Sequence, residues 1–442
     1  MISLSKLNQP LKGETFVPGD KSISHRSVMF TALAEGTSEI TGFLEGADCL
    51  STISCFQKLG IQIEKSMRPT NGVPTITVHG KGLHGLSKPE GILYTGNSGT
   101  TTRLLTGVLA AQKFSCDITG DASIETRPMD RIIKPLTLMG GDVKSVNNNG
   151  KCPLFIEGKN LRGISYHSPV SSAQVKSCIL LAGLYANSDT VVYEPSLSRD
   201  HTEIMLRSLG ADIHTEGGRM GEVAAVLHPG MPLHGKKINV PGDISSAAYF
   251  IAAAILVPGS EVLIHNVGIN PTRAGILSAL HQMGADIELI NQNTEMEPKA
   301  DLLVRHSTLH GNNNGIFEIR GRMIPTLIDE LPILAVLCAT ASCTTIISDA
   351  AELKVKESNR IATVCENLSK MGVDITPTDD GMIIHGGKPL HGAEIKTYGD
   401  HRLAMSMAVA ALIADGETTI DDEKCVNISY PSFFQDLKRL SK

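Results

Sequence analysis

At 442 residues, with 41% hydrophobic residues, a mean hydropathy of +0.03 and a formal charge of −6, the chain reads as a globular protein of two or three domains rather than a disordered or fibrous one. Forty cations against 46 acids, 4% aromatic residues and no Trp argue against a general nucleic-acid or anionic-membrane surface and against a base-stacking platform. The nine cysteines are scattered, with no CxxC pair or Cys/His cluster at zinc spacing, and no cationic-then-apolar leader opens the chain; a reduced cytoplasmic protein without a structural metal is expected.

In chain order, Val17-Pro18-Gly19-Asp20-Lys21-Ser22 opens a helix over His25 to Ala34 that is apolar nearly all round. Similar helices are predicted over Thr101 to Ala111, Val175 to Ala186, Ala247 to Val257, Leu331 to Ala341 and Leu403 to Ala414. A helix without a polar face is a buried one. The longest apolar run, Ala247 to Val257, falls short of the ~18 residues a membrane helix needs. Amphipathic helices end at Leu59-Gly60, Met139-Gly140, Leu209-Gly210, Met283-Gly284 and Met371-Gly372, each Gly suiting a left-handed cap before a strand of alternating pattern. Phe433 to Leu440 supplies a sixth copy, so the chain repeats a small α/β module roughly every 70 to 90 residues. Val17-Pro18-Gly19-Asp20 returns as Val240-Pro241-Gly242-Asp243, which marks a duplication with a boundary near Asn239. The expected fold is α/β (α+β): two domains of three modules, each with a helical core wrapped by sheets. Asn147 to Gly150 and Asn312 to Gly315 read as hairpin tips.

Several buried helices begin with a small-residue loop followed by a cation, as in Gly19-Asp20-Lys21-Ser22-Ile23-Ser24-His25-Arg26, Gly96-Asn97-Ser98-Gly99-Thr100-Thr101-Thr102-Arg103 and Gly399-Asp400-His401-Arg402. A cation is disfavoured at a helix N-terminus, whereas free N–H groups, hydroxyls and a guanidinium together suit a phosphate or carboxylate. For any single loop, Asp20, Asp243 and Asp400 as N-caps paired with the cations is the plainer reading; three loops of similar build favour anion binding. Lys356 and Arg360 fall at i and i+4, a like-charge pair on one helical face that an anion would bridge, and Pro128 leaves Arg127 on the loop before a helix. Asp329-Glu330 at the mouth of a buried helix reads as an N-cap pair or a catalytic base, and Glu357 as a helix salt-bridge partner or a proton donor. The residues by themselves point to a cationic interdomain cleft for small anions with one or two carboxylates available for proton transfer.

These motifs, from Pro18-Gly19-Asp20-Lys21-Ser22 through Lys354-Val355-Lys356-Glu357-Ser358-Asn359-Arg360 to Tyr430-Pro431, resemble the enolpyruvyl transferase family, most closely its branch acting on shikimate 3-phosphate. The resemblance implies a two-domain inside-out α/β barrel of six βαβαββ repeats, an N-terminal domain of residues 21–239, and a C-terminal domain of residues 1–20 plus 240–442 completed by the first strand. It also implies transfer of the enolpyruvyl group of phosphoenolpyruvate to the 5-hydroxyl of shikimate 3-phosphate, without cofactor or metal, by a cytoplasmic monomer needing neither nucleic acid nor membrane. Lys21, Ser22, Arg26, Ser172, Gln174, Arg199, Asp329 and Lys356 would hold shikimate 3-phosphate; Lys21, Gly99, Arg127, Gln174, Arg360 and Arg402 would hold phosphoenolpyruvate. Asp329 would take the hydroxyl proton and Glu357 protonate the methylene carbon, with Lys21 assisting. Ile428 stands where some members carry a phosphate-binding Lys, and Ala173 where many have a second Ser. Gly99 leaves room for bulky phosphoenolpyruvate mimics such as glyphosate. The sibling branch using a UDP-amino sugar has a reactive Cys on the loop before its Arg-Pro, where this chain has Asp121-Ala122-Ser123-Ile124-Glu125-Thr126; Cys116 lies farther back as a structural thiol. An RNA-binding or RNA-end-processing protein of related repeat fold is the remaining alternative, opposed by the charge of −6.

Overall fold

Six helices carry the core: α1 (Lys21–Ala32), α2 (Gly99–Leu109), α3 (Ala173–Gly183), α4 (Ile244–Leu256), α5 (Leu331–Thr340) and α6 (His401–Ala411). They come from a computed structural model that describes residues 1–67, 74–217 and 222–441. All but α5 begin two to four residues before the apolar pattern does, because their first turns include polar side chains. The side chains of Asp20, Ser98, Asp243 and Asp400 accept the N–H groups of Ile23, Thr101, Ser245 and Arg402, so the N-cap reading of the three Asp residues holds.

Two compact units divide the chain, one of residues 19–241 and a terminal one of residues 1–18 with 242–442. Both divisions fall inside the repeated Val-Pro-Gly-Asp. In the 19–241 unit, α2 and α3 approach closely enough that a Cβ on Gly107 would stand 2.3 Å from the Cys178 carbonyl oxygen. In the terminal unit, α4, α5 and α6 pack on one another in a single apolar cluster.

Each module places a small sheet on its helices, and one strand order recurs. Lys237–Asn239 runs parallel to Glu35–Thr41, which pairs antiparallel with Pro74–Lys81, and that strand with Gln62–Met67. Lys12–Phe16 takes the matching place beside Glu261–Gly268. The strand that leads into α1 is therefore in the Glu261–Gly268 sheet, and the strand that leads into α4 is in the Glu35–Thr41 sheet. The last sheet has three strands, with Ile2–Ser5 antiparallel to Glu417–Ile420. Gly60, Gly140, Gly210, Gly284 and Gly372 all have φ between +85° and +113°, a region glycine alone enters cheaply, and so end the amphipathic helices as expected.

Asn147 to Gly150 does join two antiparallel strands, Asp142–Ser145 and Leu154–Glu157. Asn312 to Gly315 does not: it is a tight turn feeding Ile316–Ile319, which runs parallel to Thr344–Ile347. Among the described residues no single helix is long and apolar enough to cross a membrane.

Candidate active site

Within the 19–241 unit, the Gly96–Thr100 loop meets two guanidinium groups. Arg127, between the short helix Ala122–Thr126 and the helix Asp130–Leu138, donates through Nη2 to Asn97 Oδ1 (2.5 Å) and Ser123 Oγ (3.1 Å). Arg103, buried one turn into α2, donates to Gln174 Oε1, and Gln174 Nε2 donates to Thr100 Oγ1 (3.1 Å). A Cβ on Gly99 would stand 2.9 Å from Arg103 Nη1 and 3.2 Å from Arg127 Nη1, so both groups face this glycine. Burial, then Arg131 and Arg127, lower the Arg103 pKa to about 10. Cations crowded this closely gain from a bound anion. Arg103 was not among the expected site residues, although it stands in the quoted loop motif at the helical spacing that turns it toward Gly99.

Lys21, the first residue of α1, pairs with Asp48 rather than with the cap Asp20. Arg26, one turn on, is buried and donates to the Ser22 carbonyl (3.1 Å), Thr202 Oγ1 (2.7 Å) and Ser177 Oγ (2.9 Å). Ser172 holds the N-cap position of α3 without a side-chain cap bond, and its N–H donates to Glu194 Oε1 (3.0 Å). The other Glu194 oxygen accepts from the Ser198 N–H (3.3 Å) and hydroxyl (2.8 Å), beside Arg199. One carboxylate thus ties the Ser172 and Arg199 loops together. Behind it Lys176, 1% exposed, is 2.9 Å from Glu194 and 2.7 Å from Glu203. Burial opposes the Lys176 charge, but Glu203 and Glu194 outweigh it and raise its pKa. Sequence reasoning missed this triad because Lys176 sits in a helix that otherwise reads as apolar.

In the terminal unit, Asp329 lies in the turn between the helix Ile324–Leu327 and α5. Its Oδ1 is 3.7 Å from Lys356 Nζ and 3.6 Å from Arg360 Nη1, and its Oδ2 is 3.9 Å from Arg402 Nη2. Three cations converge on one carboxylate. Glu330 occupies the N-cap position of α5 but makes no cap bond, so the N-cap-pair reading fails. Its buried carboxylate instead accepts from Arg273 Nη1 at 2.8 and 2.9 Å and from Ser245. Burial works against the Arg402 charge, but Asp329, Tyr249 and Glu330 prevail and hold it protonated.

Lys356 and Arg360 do not share a helical face, contrary to the expected i, i+4 pair. A 3₁₀ turn, Ala351–Val355, ends before Lys356, which is extended, and Arg360 opens a new helix, Arg360–Lys370, capped by Asn359. The two cations meet at Asp329 all the same. Arg360 is buried, donating from Nε to Asp400 Oδ2 (2.8 Å) and from Nη2 to Glu357 Oε2 (2.6 Å). Asp400 also accepts from the Ser358 hydroxyl and the Arg402 N–H, both at 3.0 Å. Arg360 Nη1 is buried without a hydrogen bond among the described residues, a donor that calls for an acceptor. Burial would raise the Glu357 carboxyl, but Arg360 and Arg402 hold it below the usual carboxylate range. It is therefore ionised at neutral pH in this state.

All nine cysteines are free and buried. Burial pushes the Cys116 thiol up to about 12, and Asp121 to Thr126, before Arg127-Pro128, contains no cysteine. Ala173 opens α3, and Ile428, itself exposed, ends the 3₁₀ turn Lys424–Ile428.

A family model described as EPSP synthase (3-phosphoshikimate 1-carboxyvinyltransferase) matches residues 6–437. The chain is 52% identical to the 3-phosphoshikimate 1-carboxyvinyltransferase of Brevibacillus brevis, with all of both chains covered. It is also 52% identical to the protein of that name from a Thermoanaerobacter species, over 97% of this chain and 98% of that one. The solved structure of EPSP synthase from Acinetobacter baumannii is similar at a TM-score of 0.89 and 46% identity, covering 99% of this chain and 97% of that one. Relatedness this extensive, spanning every loop described above, means that the chain belongs to the EPSP synthase family.

Proposed function

We propose that the chain transfers the enolpyruvyl group of phosphoenolpyruvate to the 5-hydroxyl of shikimate 3-phosphate. The observation that carries the reading is the Asp329 carboxylate facing Lys356, Arg360 and Arg402, since a base set among anion-binding cations suits an acidic substrate bearing a hydroxyl. Lys21, Ser22, Arg26, Ser172, Gln174, Arg199, Asp329 and Lys356 hold shikimate 3-phosphate, with Lys21 leaving Asp48 for the phosphate. Lys21, Gly99, Arg127, Gln174, Arg360 and Arg402 hold phosphoenolpyruvate.

Asp329 takes the proton of the 5-hydroxyl as its oxygen bonds to C2 of phosphoenolpyruvate, and Glu357 delivers a proton to the methylene carbon. The resulting tetrahedral intermediate breaks its C2–O bond to phosphate, which leaves with the proton held by Asp329, while the Glu357 carboxylate takes back a proton from the new methyl group and the double bond is restored. Phosphoenolpyruvate anions bound to Arg360 and Arg402 offset the charges that keep Glu357 ionised, so burial then raises its pKa toward that of a proton donor. Fixed cations stabilise the charge that develops at the reacting centre. The net charge of −6 and the scarcity of aromatic residues support work on small anions without nucleic acid or an anionic membrane.

The test is phosphate release from phosphoenolpyruvate with shikimate 3-phosphate or UDP-N-acetylglucosamine as acceptor. Release only with the first is expected; release with the second overturns the assignment. Asp329→Asn and Glu357→Gln should each slow turnover by roughly two orders of magnitude while leaving anion binding nearly intact. Lost binding with unchanged turnover at saturation would refute both roles.

A further inference from the structure

The outer face of one small sheet, remote in sequence from every residue assigned to catalysis, gathers two imidazoles and a carboxylate. Asp212 and His214 lie on the strand Asp212–Gly217 with Ile213 between them, and Ile213 is buried, so both neighbours project from the solvent side. The antiparallel register sets His228, on the strand Val223–His228, directly opposite Asp212 and diagonal to His214. One ligand atom from each of the three comes within 4.8 Å of the other two. The His214 and His228 ring centroids are 5.7 Å apart.

A second observation bears on what this group does. Asp189, just before the neighbouring strand Thr190–Glu194, sits 2.9 Å from His228 Nδ1. A carboxylate at Nδ1 fixes the tautomer and ring plane and leaves Nε2 as a lone-pair donor, the arrangement that supports histidine ligands in metal sites. Glu216 lies 3.8 Å from His214 Nε2 and can turn to accept from that ring once it binds through the other nitrogen.

We infer that Asp212, His214 and His228 form a binding site for one divalent ion of the zinc class, with Asp189 orienting His228. Two imidazoles and one carboxylate are borderline donors that favour zinc over calcium or magnesium, which prefer all-oxygen shells. Tetrahedral coordination at about 2.0–2.1 Å puts ligand atoms roughly 3.4 Å apart, so side-chain rotation need bring the donors closer by no more than about 1.4 Å, with water as the fourth ligand. The side chains are 39% (His228) and 47% (His214) exposed, which leaves them free to turn. The ion would clip the two strands of the hairpin together and take no part in the transfer reaction.

The experiment is a titration of the full-length protein with zinc chloride, read by calorimetry, and with cobalt(II), read by its visible absorption. Wild type should bind one ion and show the intense absorption of four-coordinate cobalt. His214→Ala, His228→Ala and Asp212→Asn should each weaken binding at least tenfold, and Asp189→Asn by roughly tenfold. All four should leave phosphate release unchanged. No saturable binding by wild type, or binding of the same affinity in the His214→Ala/His228→Ala double variant, would overturn the site.

Discussion

Replacing Lys176 with Met tests how the Ser172 and Arg199 loops are held. The substitution keeps the length of the buried stem and removes the only cation facing Glu194 and Glu203 among the contacts described for them. Removing one partner of a buried ion pair costs about 3–5 kcal/mol, because the remaining charge is stranded. For a unit of roughly 200 residues, at about 2–4 °C per kcal/mol, this is a fall in melting temperature of roughly 6–20 °C. Burial already pushes the Glu203 carboxyl up despite Lys176. In the variant the Glu203 carboxyl, its cation gone, rises further above its unfolded value, so folding takes up a proton and the variant loses stability as pH rises through that folded value. The gap from wild type should accordingly be small near pH 5 and largest near pH 8. Because Glu194 holds the Ser172 and Ser198 N–H groups, KM for shikimate 3-phosphate should rise about tenfold or more, with a smaller change in kcat. The assay is calorimetric melting across that range together with initial rates. A melting temperature within about 2 °C of wild type, or an equal loss at both ends of the range, would refute the reasoning.

Gly99→Ala brings a methyl group to 2.9 Å from Arg103 Nη1 and 3.2 Å from Arg127 Nη1, ends of flexible side chains. The fold should survive, while glyphosate inhibition weakens at least tenfold; an unchanged inhibition constant contradicts the placement of this glycine at the phosphoenolpyruvate site. Adding phosphoenolpyruvate to the shikimate 3-phosphate complex should draw a proton onto Glu357, seen as a binding enthalpy that depends on the ionisation enthalpy of the buffer. Glu357→Gln should abolish that dependence, and no buffer effect in wild type would remove the acid role assigned to Glu357.

The buried helices were legible because burial leaves an apolar stretch whatever packs on it, as in Ala247 to Val257. Their first turns were not, since Asp20 and Asp243 spend their polarity on backbone N–H groups and read as loop. The pairing of Lys12–Phe16 with Glu261–Gly268 joins strands about half the chain apart, and no local pattern encodes it. In the site, the loop cations were legible as motif residues, but Arg273 was not, because Asn270-Pro271-Thr272-Arg273 belongs to no repeated loop and its partner Glu330 looks like a cap. Lys356 and Arg360 were misplaced on one helix although Ser358-Asn359 between them is itself a capping signal. The Asp212, His214 and His228 group escapes any spacing rule because strand register, not sequence distance, assembles it.

The central claim is that Arg127 and Arg402 are phosphoenolpyruvate ligands, and kcat/KM for that substrate in Arg127→Ala and Arg402→Ala tests it most directly. A charge-assisted hydrogen bond is worth about 1.5–3 kcal/mol, so each variant alone should lose roughly ten- to a hundredfold or more. Wild-type kcat/KM in either one would contradict the claim.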